Sequence, residues 1–128
     1  MTSRSVTFWL PTPPSTNALF IVRGRRRVVS QVYREWRDTC LRDVTAYLIE
    51  DRIPGPVELH YVVAENGRRD LGNYEKALTD LLVSAGVIEG DGCKIVRKIT
   101  LEWSHDLDDG VTVTITPAAP WVKRMKKK

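Results

Sequence analysis

Histidine and cysteine are the scarcest reactive residues in this chain, with two of each among 128. Cys40 and Cys93 stand far apart and form no C-x-x-C pair. That spacing argues against a zinc site and a disulfide framework, and it fits a reducing cytoplasm. Both thiols are expected to be small core or surface residues. His60 and His105 have no histidine or cysteine at ligand spacing, which removes a histidine metal centre and a catalytic triad from consideration. Glycine-rich phosphate loops are missing too. Arg23–Gly24–Arg25 lacks the preceding buried strand and the following helix that such a loop needs. No serine sits in a nucleophile-elbow setting. No apolar run approaches the roughly 18 residues of a membrane span. The opening MTSRSVTFWLPTPP has too short an apolar run for a secretion signal. Acidic residues are absent from the last eight positions, WVKRMKKK, which carry five positive charges.

What remains for chemistry is carboxylates and cations on an ordinary globular body. Apolar content of 42% and charged content of 28% are typical of a packed domain. The length predicts one domain, 1–120, followed by a basic tail, 121–128. The net charge of +4 is uneven: without the last eight residues the rest has 15 basic and 16 acidic side chains. Its cations are clustered, at 23–27 (RGRRR), at Arg68 and Arg69, and at Lys94, Arg97 and Lys98. Clusters on a near-neutral body predict a phosphate-binding face; the plain alternative for each is a solvated surface.

Hydrophobic periodicity predicts the elements. Val6, Phe8 and Leu10 alternate with polar or aromatic neighbours, so 5–10 reads as a strand. The prolines of PTPPS end it. Residues 18–22 and 26–30 flank a basic tip and predict a small hairpin. Ser30 is the expected N-cap of a helix at about 31–50. Its apolar stripe is Val32, Tyr33, Trp36, Cys40, Val44, Tyr47 and Leu48. Val57, Leu59, Tyr61 and Val63 predict a strand, and Tyr74, Ala77, Leu78, Leu81, Leu82 and Ala85 the inward face of a helix over roughly 72–85. Ile95, Ile99, Leu101 and Trp103 predict a further strand, and Val111, Val113 and Ile115 the last. The turn signal Asp108–Asp109–Gly110 joins those two as an antiparallel hairpin. The expected fold class is α/β (α+β): a small mixed sheet with two helices packed on one face.

The stretch from Arg68 to Val96, RRDLGNYEKALTDLLVSAGVIEGDGCKIV, carries the densest chemistry. Asp70 follows two arginines at a strand end and helix start, where free N–H groups favour anions. Asp70 can equally be a plain helix cap. Lys76 is on the polar face of the helix, available to a phosphate oxygen or a leaving alkoxide. Glu89 and Asp91 come after the break at Gly86. If the strands bordering this helix bring Asp70 and Asp91 together, the pair would hold a hard cation such as Mg²⁺, with Mn²⁺ as its substitute.

These residues resemble the RusA-type Holliday junction endodeoxyribonucleases, a family common in prophages. The resemblance rests on the early strand followed by PPSTN (Pro13 to Asn17) and on the Tyr33–Arg34 pair opening the first helix. It continues in the RRDLxN–xxKAxxDxL run from Arg68 to Leu82, in AGVIEGD from Ala85 to Asp91, and in Lys94–Ile95–Val96–Arg97. It implies a homodimer that binds four-way DNA junctions and cuts paired strands with Mg²⁺, in recombination and repair. It implies Asp70, Asp91 and Lys76 as catalytic residues, with Asp70 and Asp91 as metal ligands. It also places Arg69 at a basic position beside the first aspartate. The family's Asp-x-Asp-Asn is Asp70–Leu71–Gly72–Asn73 here, and Gly90 stands where a further aspartate is common. Glu89, Asn73, Glu75 or water would have to make up the ligand set. The expected DNA contacts are Arg68, Arg69, Arg25, Arg26, Lys94, Arg97 and Lys98. Competing expectations are a junction-binding protein that has lost cleavage through Gly72 and Gly90, and a general nucleic-acid-binding module whose acidic pair is structural.

Overall fold

The computed structural model describes residues 5–48 and 52–123, and the side chains of all of these except 45–48. Six strands and two helices follow one another as β1 (Val6–Leu10), β2 (Phe20–Arg23), β3 (Arg26–Val29), α1 (Gln31–Leu48), β4 (Val57–Ala64), α2 (Glu75–Ser84), β5 (Val96–Ser104) and β6 (Val111–Pro117). Short 3₁₀ turns lead into β2 at Thr16–Ala18 and into α2 at Leu71–Tyr74. The mixed α+β architecture is the expected one.

Four strands form the main sheet in the order β1-β6-β4-β5, and β2 and β3 form a separate two-stranded ribbon. β4 and β5 run parallel, from Val57 beside Val96 to Ala64 beside Ser104. β6 is antiparallel to both β4 and β1. The expected hairpin of the last two strands is therefore not formed: β4 lies between β5 and β6. The reason is the link through α2. Parallel strands need a crossover of a dozen or more residues, and α2 with its flanking turns supplies one, seating β5 directly beside β4. β6 then pairs on the remaining side of β4. The Asp108–Gly110 turn passes over the end of β4, where the Ala64 N–H donates to the Gly110 carbonyl at 3.0 Å.

The core lies between one face of this sheet and the two helices. Val57, Leu59, Tyr61 and Val63 alternate into it from β4, and Val111, Val113 and Ile115 from β6, all at most 1% exposed. α2 contributes Ala77, Leu78, Leu81 and Leu82. Each Val, Leu or Ile side chain among them stabilises by about 1.5–3 kcal/mol when fully buried. Thr79 is buried among them because its hydroxyl pairs with the Tyr61 hydroxyl at 2.8 Å. Ser30 caps α1 as expected, accepting from the Tyr33 N–H at 3.1 Å while its own hydroxyl donates to the Ala18 carbonyl at 2.7 Å. Tyr33, Trp36, Cys40 and Val44 are buried, but Val32 is 61% exposed and belongs to no core. Tyr47 and Leu48, also expected in that stripe, lie outside the described side chains. Burial pushes the Cys40 thiol up to about 12, so it is an inert core residue, and Cys93 is exposed. Among the described residues, no helix is long and apolar enough to cross a membrane.

Gly110 has φ +79°, and a Cβ there would overlap the Trp9 indole and the Leu10 carbonyl oxygen. Trp9 cannot retreat without losing its Nε1–H bond to the Asp109 carbonyl at 3.0 Å. Gly110→Ala should therefore cost about 1–3 kcal/mol in urea unfolding. Gly90→Ala, with open space around the position, should stay within about 0.5 kcal/mol.

Candidate nucleic-acid and metal site

Because β4 and β5 are parallel and α2 returns the chain between them, the two ends of α2 sit at opposite ends of the sheet. Asp70 follows β4, so it belongs to the Ala64 end. Asp91 precedes β5, so it belongs to the Val57 end. β4 has eight residues, and at about 3.3 Å per step the two ends are about 23 Å apart. Hydrogen bonds fix both ends independently. At the Val57 end, the Gly55 N–H donates to Glu89 Oε1 at 3.0 Å, and the Ile53 N–H donates to the Val87 carbonyl at 3.0 Å. At the Ala64 end, Arg69 Nη1 donates to the Pro13 carbonyl at 2.6 Å, and Thr16 Oγ1 donates to the Asn73 carbonyl at 3.0 Å. One chain thus does not bring Asp70 and Asp91 within reach of one ion. Among the described residues no group of three or more His, Cys, Asp or Glu side chains converges.

Each end has its own character. Asp70 stands in extended conformation, φ −87° and ψ 143°, just before the 3₁₀ turn. Its carbonyl accepts from the Asn73 N–H at 3.0 Å, but its side chain makes no capping bond. The carboxylate is exposed and has no ion-pair partner among the described residues, so capping does not account for it. Lys76 is one turn away, paired with Asp80 at 3.4 Å. Such a part-exposed pair is worth at most about 1 kcal/mol, so a phosphate can displace it. Arg68 is exposed, while Arg69 is half-buried. Its guanidinium grips the Pro13 carbonyl and lies 5.4 Å from the centre of the Tyr74 ring. It pins the proline loop to the start of α2, a role its neighbour does not share.

The basic ribbon is rooted at this same end. The Thr16–Ala18 turn from which β2 springs is bonded to Asn73, and Trp36 in α1 donates to the Pro11 carbonyl at 2.9 Å. Arg23, Arg25 and Arg26 are exposed, without a carboxylate partner among the described residues. Arg27 covers the Phe20 ring at 4.3 Å. Both α1 and the turn into α2 begin here, and helix starts favour anions. A signal for this clustering was present in the sequence: residues 1–34 contain no Asp or Glu at all.

The Val57 end gathers Asp91, Lys94, Arg97 and Lys98, all exposed, with Glu89 committed to Gly55. Arg97 Nη1 donates to the Cys93 carbonyl, and Lys94 Nζ lies 4.7 Å from the centre of the Trp121 ring. The expected tail is described only as far as Lys123. On the sheet face away from the helices, His60 pairs with Glu102.

No family model and no curated protein matches this chain.

The different settings of the two arginines can be separated. Arg69→Ala removes a part-buried bond to the Pro13 carbonyl and should cost about 1–2 kcal/mol of stability. Arg68→Ala, at an exposed side chain, should leave thermal stability unchanged, as read by unfolding of the two variants side by side.

Proposed function

We propose that the protein acts on branched DNA as a Mg²⁺-dependent endonuclease of the RusA type. One observation supports this reading above the others. A carboxylate without a partner among the described residues, Asp70, stands at the end of the sheet where two helices begin, an arginine ribbon is rooted, and Arg68 and Lys76 are exposed. Cations would hold the phosphate backbone without reading bases, and Asp70 would supply a hard ligand among them. The residue pattern from Arg68 to Asp91 supports the same class.

The donor set of a single chain does not fit a Mg²⁺ ion. Asp70 offers one carboxylate, Gly72 offers none, and Glu89 and Asp91 belong to the far end. A second reading follows from that shortfall: a junction-binding protein that does not cut. Gly72 favours it, because ion affinity falls with each lost carboxylate.

The deciding measurement is cleavage of a synthetic four-way junction with Mg²⁺, beside binding measured without it. On the nuclease reading the junction is nicked in opposing strands, and Asp70→Asn abolishes cutting while leaving binding equal or tighter, since a repulsive charge is gone. Binding without cutting selects the second reading; equal cutting by Asp70→Asn removes Asp70 from the site. Restoring the absent carboxylate gives a gain-of-function check. A Cβ at Gly72 meets nothing within 4 Å, so Gly72→Asp should fold normally. It should lower the Mg²⁺ concentration needed for half-maximal cutting, read from a metal titration of the rate.

A further inference from the structure

The β2–β3 ribbon carries two exposed apolar side chains among its arginines. Val22 is 77% exposed and Ile21 42%, beside Arg23, Arg25, Arg26 and Arg27. Single exposed apolar residues are ordinary, but these two line a cleft. An open cleft of about 240 Å³ lies between the ribbon and the turn before it, lined by Thr16, Asn17, Phe20, Ile21, Val22 and Arg27. It is smaller than the roughly 300–1,000 Å³ pockets of drug-sized molecules. A single planar base suits that size, with its sugar and phosphate left outside.

The register of the ribbon builds this cleft. Phe20 pairs with Val29 and Val22 with Arg27, so these four share one face. Arg27 reaches back along that face and lies 4.3 Å from the centre of the Phe20 ring. The Phe20 ring stands edge-on to Tyr33 of α1, with 6.3 Å between ring centres. The guanidinium is thus backed by a ring that is itself anchored on a helix, and its planar face is available for stacking. The turn that supplies Thr16 and Asn17 is held as firmly. Thr16 Oγ1 donates to the Asn73 carbonyl at 3.0 Å, and the Ser30 hydroxyl donates to the Ala18 carbonyl at 2.7 Å.

We propose that this cleft receives one unstacked base of the DNA strand held at the Asp70 end of the sheet. The base stacks on the Arg27 guanidinium and against Val22. Asn17, whose amide offers both a donor and an acceptor, pairs with its edge. Bases taken out of a stack are held in this way, on aromatic or guanidinium planes with polar groups at the edge. The place suits the role. Thr16 is tied to Asn73, three residues from Asp70, so the base flanks the phosphate beside that carboxylate. Pairs at a branch point are stacked on one side only, and a base that is already poorly stacked costs least to extrude. An anionic lipid surface also combines charge with apolar matter, but it needs neither a cleft nor an amide. The proposal rests on the branched-DNA reading and does not require cutting.

The test needs no metal and no cleavage. A four-way junction carrying 2-aminopurine beside the branch point reports unstacking as a rise in fluorescence, and the same base placed mid-arm is the control. The parent protein should raise the branch-point signal several-fold and leave the arm signal unchanged. Arg27→Lys keeps the charge but loses the planar face. Val22→Ser removes the apolar wall, and Asn17→Ala removes the edge contact. Each should lose most of the rise at protein concentrations that saturate the junction, where a change in affinity no longer matters. A rise that one substitution leaves intact removes that residue from the cleft. A rise that all three leave intact, or saturated junction with no rise, overturns the base cleft and leaves the branched-DNA reading standing. A protein with no preference for the junction over linear duplex overturns that reading and the cleft with it. Parent protein that binds phosphatidylserine vesicles through Val22, and gives no rise on DNA, assigns the ribbon to a lipid surface and overturns the proposal.

Discussion

The parallel pairing of β4 with β5 through α2 is the constraint from which the rest of this structure follows. Val57, Leu59, Tyr61 and Val63 can be buried only under a helix packed on their face of the sheet. A helix that joins neighbouring parallel strands has to run back along them. Its first residue and the loop after its last are therefore held a full strand length apart. The Tyr61–Thr79 hydroxyl pair ties strand to helix in the middle of this unit. Burial raises the pKa of the Tyr61 phenol, so it stays neutral in this pair.

That geometry sorts the charges of the chain into two groups. Asp70, Arg68, Lys76 and the root of the arginine ribbon go with the end of β4. Glu89, Asp91, Lys94 and Lys98 go with its beginning. Neither group alone has the carboxylates that a hard cation needs. The Ala64 end combines exposed cations with helix starts, a setting suited to phosphates.

Several elements were legible from residue pattern alone. Strict alternation marked β4 and β6 because each buries one face, and every inward position named for them is buried. Ser30 was readable as a cap because its hydroxyl has one local task, bonding the Tyr33 N–H. Val32 was misplaced in the core because it lies at the exposed margin of the first helical turn. The link between β5 and β6 was misread as a hairpin for a related reason. Asp108–Asp109–Gly110 is a strong local turn signal, but a turn does not state whether the strands it joins become neighbours. Arg69 carries a structural contact that its place beside Arg68 did not announce: its guanidinium donates to the Pro13 carbonyl and lies by the Tyr74 ring.

The sequence by itself determined the identity of the elements, the inward face of each and the inventory of carboxylates and arginines. These depend on local periodicity and on chemistry that each residue carries with it. Only the tertiary structure decided which of those groups share an end of the sheet. Strand order and direction are set by which apolar faces can be covered together, a competition among all the elements at once. Asp70 and Asp91, twenty-one positions apart in the chain, were separated by that competition rather than joined.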